Sequence, residues 1–395
     1  MRVLLWRNWS PMYAYPAVFS VLNSQTLGGT CTQLLWHARN LIALGAEVQV
    51  LGASSVDVTE FGVEFVGTAD RNEQMEAIRR RRVRTPDVVL LEGAVAAAEL
   101  FRRSFPSATI IHIGQNIDRY SAKSAFRARG NIDIYGFVSP GHLADFCVRV
   151  PALRHKFALV RNAIPWEWMY NDITPSSAQD KIAWVGYWGK EGLRDWAVTM
   201  SRILREFPSY QWVLYGPRHN TGDASLPAHI LRGLSFAANQ VRVDSLPLSQ
   251  LILALTKARV VLVSLGNETA CVSALDAHAA GRPVISGNDI VFKFVNPEGT
   301  GVRVWSARQR YAAVKSFITN TELADVVGAN GRSFVREEFS EAAQRRDIRQ
   351  LLNRVGTPAL PCYAPPSDTT TAGRRLLAKL QRRLCIDMSL GRGGG

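Results

Sequence analysis

Short apolar runs alternate with helical segments along most of this 395-residue chain, and the alternation occurs twice. The first series opens with RVLLW and TQLLWHARNLIALG, and the second opens with KIAWVG and LRDWAVTMSRILREF. Short strands that are apolar on both faces and separated by helices are typical of a parallel sheet covered by helices on both sides. The sequence therefore predicts an α/β chain with two sheet-containing units.

The segment IPWEWMYNDITPSSAQD interrupts the alternation with prolines, serines and acids, so we interpret it as a linker. The predicted domains are an N-terminal unit over residues 1–165 and a C-terminal unit over residues 166–352. Residues 353–395 follow as a Pro/Thr-rich linker and a basic amphipathic tail. Because ligands of parallel sheets bind beyond the carboxyl ends of the strands, the cleft between the two units is the predicted site.

The net charge indicates which partners the protein could bind, and the cysteine content indicates its cellular compartment. The net charge of +14 favours phosphate-bearing or polyanionic partners without choosing among them. The five scattered cysteines have no metal or redox spacing, which indicates a reducing compartment. No stretch approaches the roughly 20 apolar residues of a membrane helix. We expect a cytoplasmic protein that is at most peripheral to a membrane, through the Leu/Arg tail, although that tail could equally dock on the protein itself.

The stretch SLGNETACVSALDAHAAG carries two acidic residues, Glu268 and Asp276, after an apolar strand. A helix is expected from about Ala270, with Thr269 as its N-cap. The amides of Ala270 and Cys271 would then form an anion site in the cleft. Glu268 and Asp276 could accept hydrogen bonds from hydroxyls of one nucleotide sugar. The alternative is an acid favoured by the helix dipole and an ordinary surface residue.

Two glycine turns and one histidine are further candidates. Gly28 and Gly29 precede a helix and would let the backbone approach an anion, although many turns look like this. In VGYWGKEGL, Gly186 keeps the turn open and Lys190 could neutralise a leaving phosphate, or could be a solvated lysine. His112 ends a buried strand and would face the cleft, unless it is a core histidine.

The order of these pieces resembles glycosyltransferase family 4, over about residues 1–352. The matching stretches are GGTCTQLLWHARNLIALGAEVQVLG, FVSPGHLADF, WVGYWGKEGL, NETACVSALDAHAAGRPVIS and GANGRSFVREEFSEAAQRRDI. The resemblance implies the GT-B fold, in which two Rossmann-like parallel-sheet domains face a central cleft. It also implies a retaining glycosyltransferase that moves a sugar from a nucleotide-sugar donor to a glycan, lipid or other acceptor.

The resemblance assigns roles residue by residue. Glu268 would contact hydroxyls of the donor sugar, Lys190 would bind the diphosphate leaving group, and His112 would lie near the sugar. Asp276 would hold the ribose hydroxyls. The full donor-binding set implied in this way is Gly28, Gly29, Gly186, Thr269, Ala270, Cys271 and Asp276. No metal or other cofactor is expected, because Lys190 and helix ends can do what a divalent ion does elsewhere.

Three departures from the family pattern keep other functions open. Tyr187 stands where the family has an arginine, Asp276 replaces a glutamate, and Ala163 replaces a glycine. One alternative is a nucleotide-sugar epimerase or hydrolase. Another is a catalytically degenerate GT-B protein that binds a membrane or a nucleic acid, which Tyr187 and the positive charge favour. For the transferase itself we do not expect a nucleic acid partner.

Overall fold

The computed structural model describes residues 1–7, 29–92, 95–115, 122–173, 180–186, 191–216, 228–237, 239–266 and 268–355. Two parallel sheets form its centre, one in each half of the chain. Gly28, Tyr187 and Lys190 lie outside the described residues, as do residues 356–395, which hold nearly all of the predicted tail. The roles predicted for these segments remain predictions.

The first sheet has the order β3-β4-β2-β1-β5-β6-β7-β8, and every neighbouring pair is parallel except the β3–β4 hairpin. Its strands are β1 Arg2–Arg7, β2 Glu47–Leu51, β3 Val58–Glu60, β4 Val63–Val66, β5 Val88–Glu92, β6 Thr109–Gly114, β7 Ile134–Phe137 and β8 Phe157–Leu159. Its helices are α1 Gly29–Ala43, α2 Arg71–Arg79, α3 Ala97–Ser104, α4 Ala122–Arg127 and α5 Pro140–Arg149. Helix α1 packs on one face of this sheet, and α2 to α5 pack on the other.

The second sheet has the order β11-β10-β9-β12-β13-β14 and is parallel throughout. Its strands are β9 Lys181–Val185, β10 Gln211–Tyr215, β11 Val241–Asp244, β12 Val260–Leu262, β13 Val284–Ser286 and β14 Gly301–Arg303. The helices are α6 Leu193–Glu206, α7 Ala228–Leu231, α8 Leu248–Leu255, α9 Val272–Ala279, α10 Phe292–Val295, α11 Ala307–Thr319, α12 Thr321–Glu338 and α13 Glu341–Asn353. Helices α8 and α9 cover one face, and α6 and α11 cover the other.

The chain joins the two units at two places. Residues 164–173 cross from the first sheet to the second and include a short π-helix, Trp166–Tyr170, whose terminal aromatic side chains are buried. Helix α13 returns to the first unit, where Ile348 and Leu351 enter the same apolar cluster as α1. The first unit thus contains a helix from the end of the described chain.

The apolar runs RVLLW and KIAWVG are confirmed as strands β1 and β9, whereas β3, β4, β8, β11 and β14 were not predicted. Each missed strand has only three or four residues, and β3 (VTE) is mostly polar. So short a run gives no clear periodicity. These strands form because longer neighbours offer them a ladder of backbone hydrogen bonds, which is a tertiary effect.

Candidate active site

The carboxyl ends of the two sheets meet at the loop between β12 and α9. The Thr269 hydroxyl donates a hydrogen bond of 2.7 Å to the carbonyl of Gln115, which follows β6. From β7, the Ser139 hydroxyl donates to the carbonyl of Thr269 and accepts from the amide of His142. Ser139 is therefore both the N-cap of α5 and a link between the units. These contacts hold the loop against the first sheet.

The predicted start of the following helix is wrong by two residues. Helix α9 begins at Val272, and its N-cap is Cys271, which has a φ of 43° and makes no capping hydrogen bond through its side chain. Thr269 lies two residues before the N-cap, and its hydroxyl donates across the cleft to the carbonyl of Gln115. Ala270 is buried in the apolar cluster of α1 and α13. A left-handed conformation at a non-glycine residue is uncommon and indicates a backbone shaped by its surroundings.

Glu268 lies in this loop with only 6 % of its surface exposed. Its amide donates a hydrogen bond to the carboxylate of Asp289. Burial raises the pKa of Asp289, and this hydrogen bond opposes that rise. The same carboxylate accepts from the amides of Val291 at 2.9 Å and Phe292 at 3.1 Å. Asp289 therefore ties the backbone of Glu268 to the start of α10.

Sequence reasoning missed Asp289, although a signal was present. An aspartate followed by a short apolar helical run, as in NDIVFKF, is the pattern of a side chain that accepts amide hydrogen bonds two and three residues on. The hydrogen bond to Glu268 has no such local signal, because the two residues are far apart in sequence.

Asp276 is buried and accepts a hydrogen bond of 2.7 Å from the Tyr170 hydroxyl. Burial raises the pKa of Asp276 to about 7, and the hydrogen bond opposes that rise. Burial and the nearby carboxylate raise the pKa of Tyr170 well above its usual value. The alternative of an ordinary surface residue is therefore wrong. Contact between Asp276 and a ribose remains a prediction.

The other predicted residues that the structure describes lie on separate elements. His112 is buried in β6, in register with Leu91 and Tyr135, two residues before the end of the strand. Gly186 follows β9, and its amide donates to the carbonyl of Tyr215 at 3.0 Å. Gly29 is the first residue of α1. Residues 268–271 thus lie in one loop. His112 lies in β6, the strand that leads to Gln115, whose carbonyl this loop contacts.

One buried polar pair was not predicted. His37 Nδ1 of α1 lies 2.8 Å from Glu92 Oε1 at the end of β5, and both side chains are fully buried. The two residues stand 55 positions apart, so no local pattern connects them.

Across the described ranges, no group of three or more His, Cys, Asp or Glu residues could hold a metal ion. No helix within them is both long and apolar enough to cross a membrane.

Comparison with known proteins identifies the fold. No protein-family model and no curated protein matches the sequence. Solved structures do match, including sucrose-phosphate synthase from Thermosynechococcus elongatus, with 16% identity, coverage of 90% of this chain and 99% of that chain, and a TM-score of 0.69. The chain has the GT-B fold.

Two further GT-B structures agree in length and arrangement. Trehalose-6-phosphate synthase from Burkholderia multivorans has 11% identity, covers 90% of this chain and 99% of that chain, and gives a TM-score of 0.63. HepE from Anabaena, in complex with UDP and glucose, has 12% identity, coverage of 89% and 99%, and a TM-score of 0.62. In GT-B terms, the loop of Glu268 lies at the cleft between the two Rossmann-like domains.

Proposed function

We propose that this GT-B protein is a retaining glycosyltransferase of the family 4 type, which transfers a sugar from a nucleotide-sugar donor to a glycan, lipid or other acceptor. The observation that carries the proposal is the buried carboxylate of Glu268, in a loop that both sheets hold at the cleft. The solved structures of HepE contain UDP, or UDP with glucose, or UDP-glucose. Such a donor offers both sugar hydroxyls and a diphosphate, which a carboxylate and the amides of a helix N-terminus could bind.

Different residues would bind different parts of the donor. A carboxylate accepts hydrogen bonds from sugar hydroxyls, which suits Glu268. The amides at the start of α9, including that of Val272, suit a diphosphate, because a helix N-terminus favours an anion. Lys190 would supply positive charge to the leaving group, and Asp276 would accept from the ribose. In this proposal, catalysis comes from interactions that strengthen as charge develops on the leaving diphosphate, without a metal.

Replacing Glu268 tests the proposal. With a panel of nucleotide sugars and acceptors, we expect Glu268→Ala to lose turnover by roughly 10²–10³-fold, the usual cost of removing one positioned polar group. Glu322→Gln, at an exposed position in the first turn of α12, is the matched control and should keep full turnover. Equal turnover in the wild type and Glu268→Ala would reject the role of Glu268.

Product analysis tests the reaction type. NMR of the product should show the anomeric configuration of the donor, and the acceptor should be consumed. Sugar release without acceptor consumption would identify a hydrolase, and an altered nucleotide sugar would identify an epimerase. Turnover should persist in EDTA.

A thermal-shift screen with UDP, GDP and ADP should identify the donor base, because a ligand that binds only the folded state raises the melting temperature.

A further inference from the structure

A cavity opens between the units, apart from the start of α9. Its volume is about 700 Å³, within the usual range of roughly 300–1,000 Å³ for small-molecule sites. Helix α5 forms one wall, and the loops before α6, α10 and α11 form the other. None of residues 268–272 lines this cavity, so it is separate from the proposed diphosphate site.

Among the residues that the structure describes, the lining of the cavity carries more acidic than basic side chains, whereas the whole chain is basic. Its lining includes four carboxylates, Asp145, Glu191, Asp195 and Asp289, and two guanidinium groups, Arg149 and Arg310. Each guanidinium is paired within the cavity: Arg149 lies 2.6 Å from Asp145 and Arg310 lies 2.8 Å from Asp195. Burial lowers the pKa of the lining His142 to about 3, so this histidine adds no positive charge at neutral pH. The excess of carboxylates disfavours phosphates and other anions.

An exposed tryptophan lines the same cavity. Trp305 is 68% exposed, although tryptophan is a residue that folded chains usually bury to a large extent. Its indole offers a flat apolar face, with the Asn288 amide and the carboxylates nearby as hydrogen-bonding groups. An aromatic face beside acceptors fits the apolar C–H face and the hydroxyl donors of a sugar ring. We propose that this cavity binds a neutral sugar unit of a glycan.

Side chains that line the cavity also contact the Glu268 loop. Asp289 lines it and accepts the hydrogen bond from the Glu268 amide. The Glu191 carboxylate lies over Gly266, where an added methyl group would come within 3.0 Å of Glu191 Oε2. A sugar in the cavity would therefore rest on side chains that position the loop. Its binding does not require that the protein transfer a sugar.

A glycan array tests the site with the full-length protein. The labelled wild type should bind neutral glycans in preference to sialylated, sulfated or phosphorylated ones. Titration of the strongest neutral glycan should show Trp305→Ala binding weaker by about tenfold or more, the scale of a buried aromatic anchor. Trp305→Phe, which keeps an aromatic face, should retain more affinity than Trp305→Ala.

Phe61→Ala is the matched control, because Phe61 is 59% exposed and follows β3 at the far edge of the first sheet. It should bind like the wild type. The proposal is overturned if no neutral glycan binds, if acidic glycans bind better, or if Trp305→Ala binds as tightly as the wild type. Binding through Trp305 without any sugar transfer would keep this site and remove the proposed function, so the two outcomes are distinguishable.

Discussion

At the scale of single residues, Asp276 illustrates how burial changes the chemistry of a carboxyl group. Its side chain lies in the interior of the second unit and meets the Tyr170 hydroxyl, which comes from the segment that crosses between the units. Desolvation disfavours the charged form, so the pKa of Asp276 rises from its usual 3.8 to about 7. A carboxyl group that titrates near neutral pH makes the stability of the fold depend on pH.

The sign of that dependence can be predicted. Well below pH 3.8 the Asp276 carboxyl is protonated in both the folded and the unfolded protein. Between about pH 4 and 7 the unfolded chain releases this proton, whereas the folded chain keeps it. The stability of the wild type should therefore fall as pH rises through this window, by up to about 4 kcal/mol from this group. Asp276→Asn cannot titrate and should lack this component. Urea-unfolding midpoints of both proteins at about pH 4.5 and 7.5 would measure it; parallel pH profiles would contradict it.

At the scale of elements, close packing between α9 and α12 depends on two glycines. A Cβ added at Gly328 would lie 2.2 Å from the carbonyl oxygen of Gly281, and one at Gly331 would lie 2.5 Å from His278 Nδ1. Arg332, next along α12, donates to the carbonyls of Ala279 and Tyr170. Helix α12 therefore holds α9 and the crossing segment in one arrangement.

Gly328→Ala should destabilise the protein despite the better helix propensity of alanine. The propensity gain is about 1 kcal/mol, whereas overpacking against a backbone carbonyl costs about 1–3 kcal/mol and forces the helices apart. Gly130→Ala is the control, because a Cβ at Gly130 would meet nothing within 4 Å. Thermal melting should show a lower midpoint for Gly328→Ala and little change for Gly130→Ala. A midpoint for Gly328→Ala equal to or above that of the wild type would show that overpacking costs no more than the gain in helix propensity.

At the scale of the whole molecule, a buried ion pair joins the first unit to α13. Arg161 Nε donates to Asp347 Oδ2 at 2.6 Å, and Arg161 Nη1 reaches the Glu338 carboxylate at 2.7 Å. The Gln33 side chain exchanges two hydrogen bonds with the backbone of Ala163, at 2.7 and 2.8 Å. These contacts fix α1, the end of the first sheet and the last described helix together.

Arg161→Ala should be strongly destabilising. Removing one partner of a buried pair leaves the other charge uncompensated, which costs about 3–5 kcal/mol. Arg103→Ala is the control, because Arg103 and Glu99 form an exposed pair one helical turn apart, where such pairs contribute about 0.5 kcal/mol or less. Melting temperatures of the two variants should differ clearly. A melting temperature for Arg161→Ala equal to that of the wild type would show that the ion pair does not stabilise the contact between the first unit and α13.

The basic tail carries a separate prediction at this scale. Its leucines at helical spacing with arginines between them, from Arg374 onward, favour contact with an anionic membrane surface. Sedimentation with anionic vesicles should pellet the full chain, and a chain that ends at Pro358 should remain in solution. Neutral vesicles are the control. Equal partitioning of the two chains would remove the membrane role.

Much of the fold could be predicted from the sequence, because apolar periodicity is a local property that each strand and helix carries itself. KIAWV and DVVLLE predict buried strands wherever they occur. The short strands β3, β4, β8, β11 and β14 could not be predicted, since they form only where a neighbouring strand supplies hydrogen bonds. Of the candidate site, the loop around Glu268 was predicted from its place after an apolar strand. The Thr269 cap was wrong because the helix begins only at Val272, and the contact of Thr269 with the opposite unit has no local pattern in the sequence.

The sequence by itself determined the two α/β units, the crossing between them and the loop in which Glu268 lies. Only the tertiary structure decided what the polar side chains contact: Asp289 with the Glu268 amide, Tyr170 with Asp276, and Asp347 with Arg161. The reason is physical. Periodicity reports which side of an element is buried, whereas a hydrogen bond depends on two groups that the folded chain brings together from distant positions.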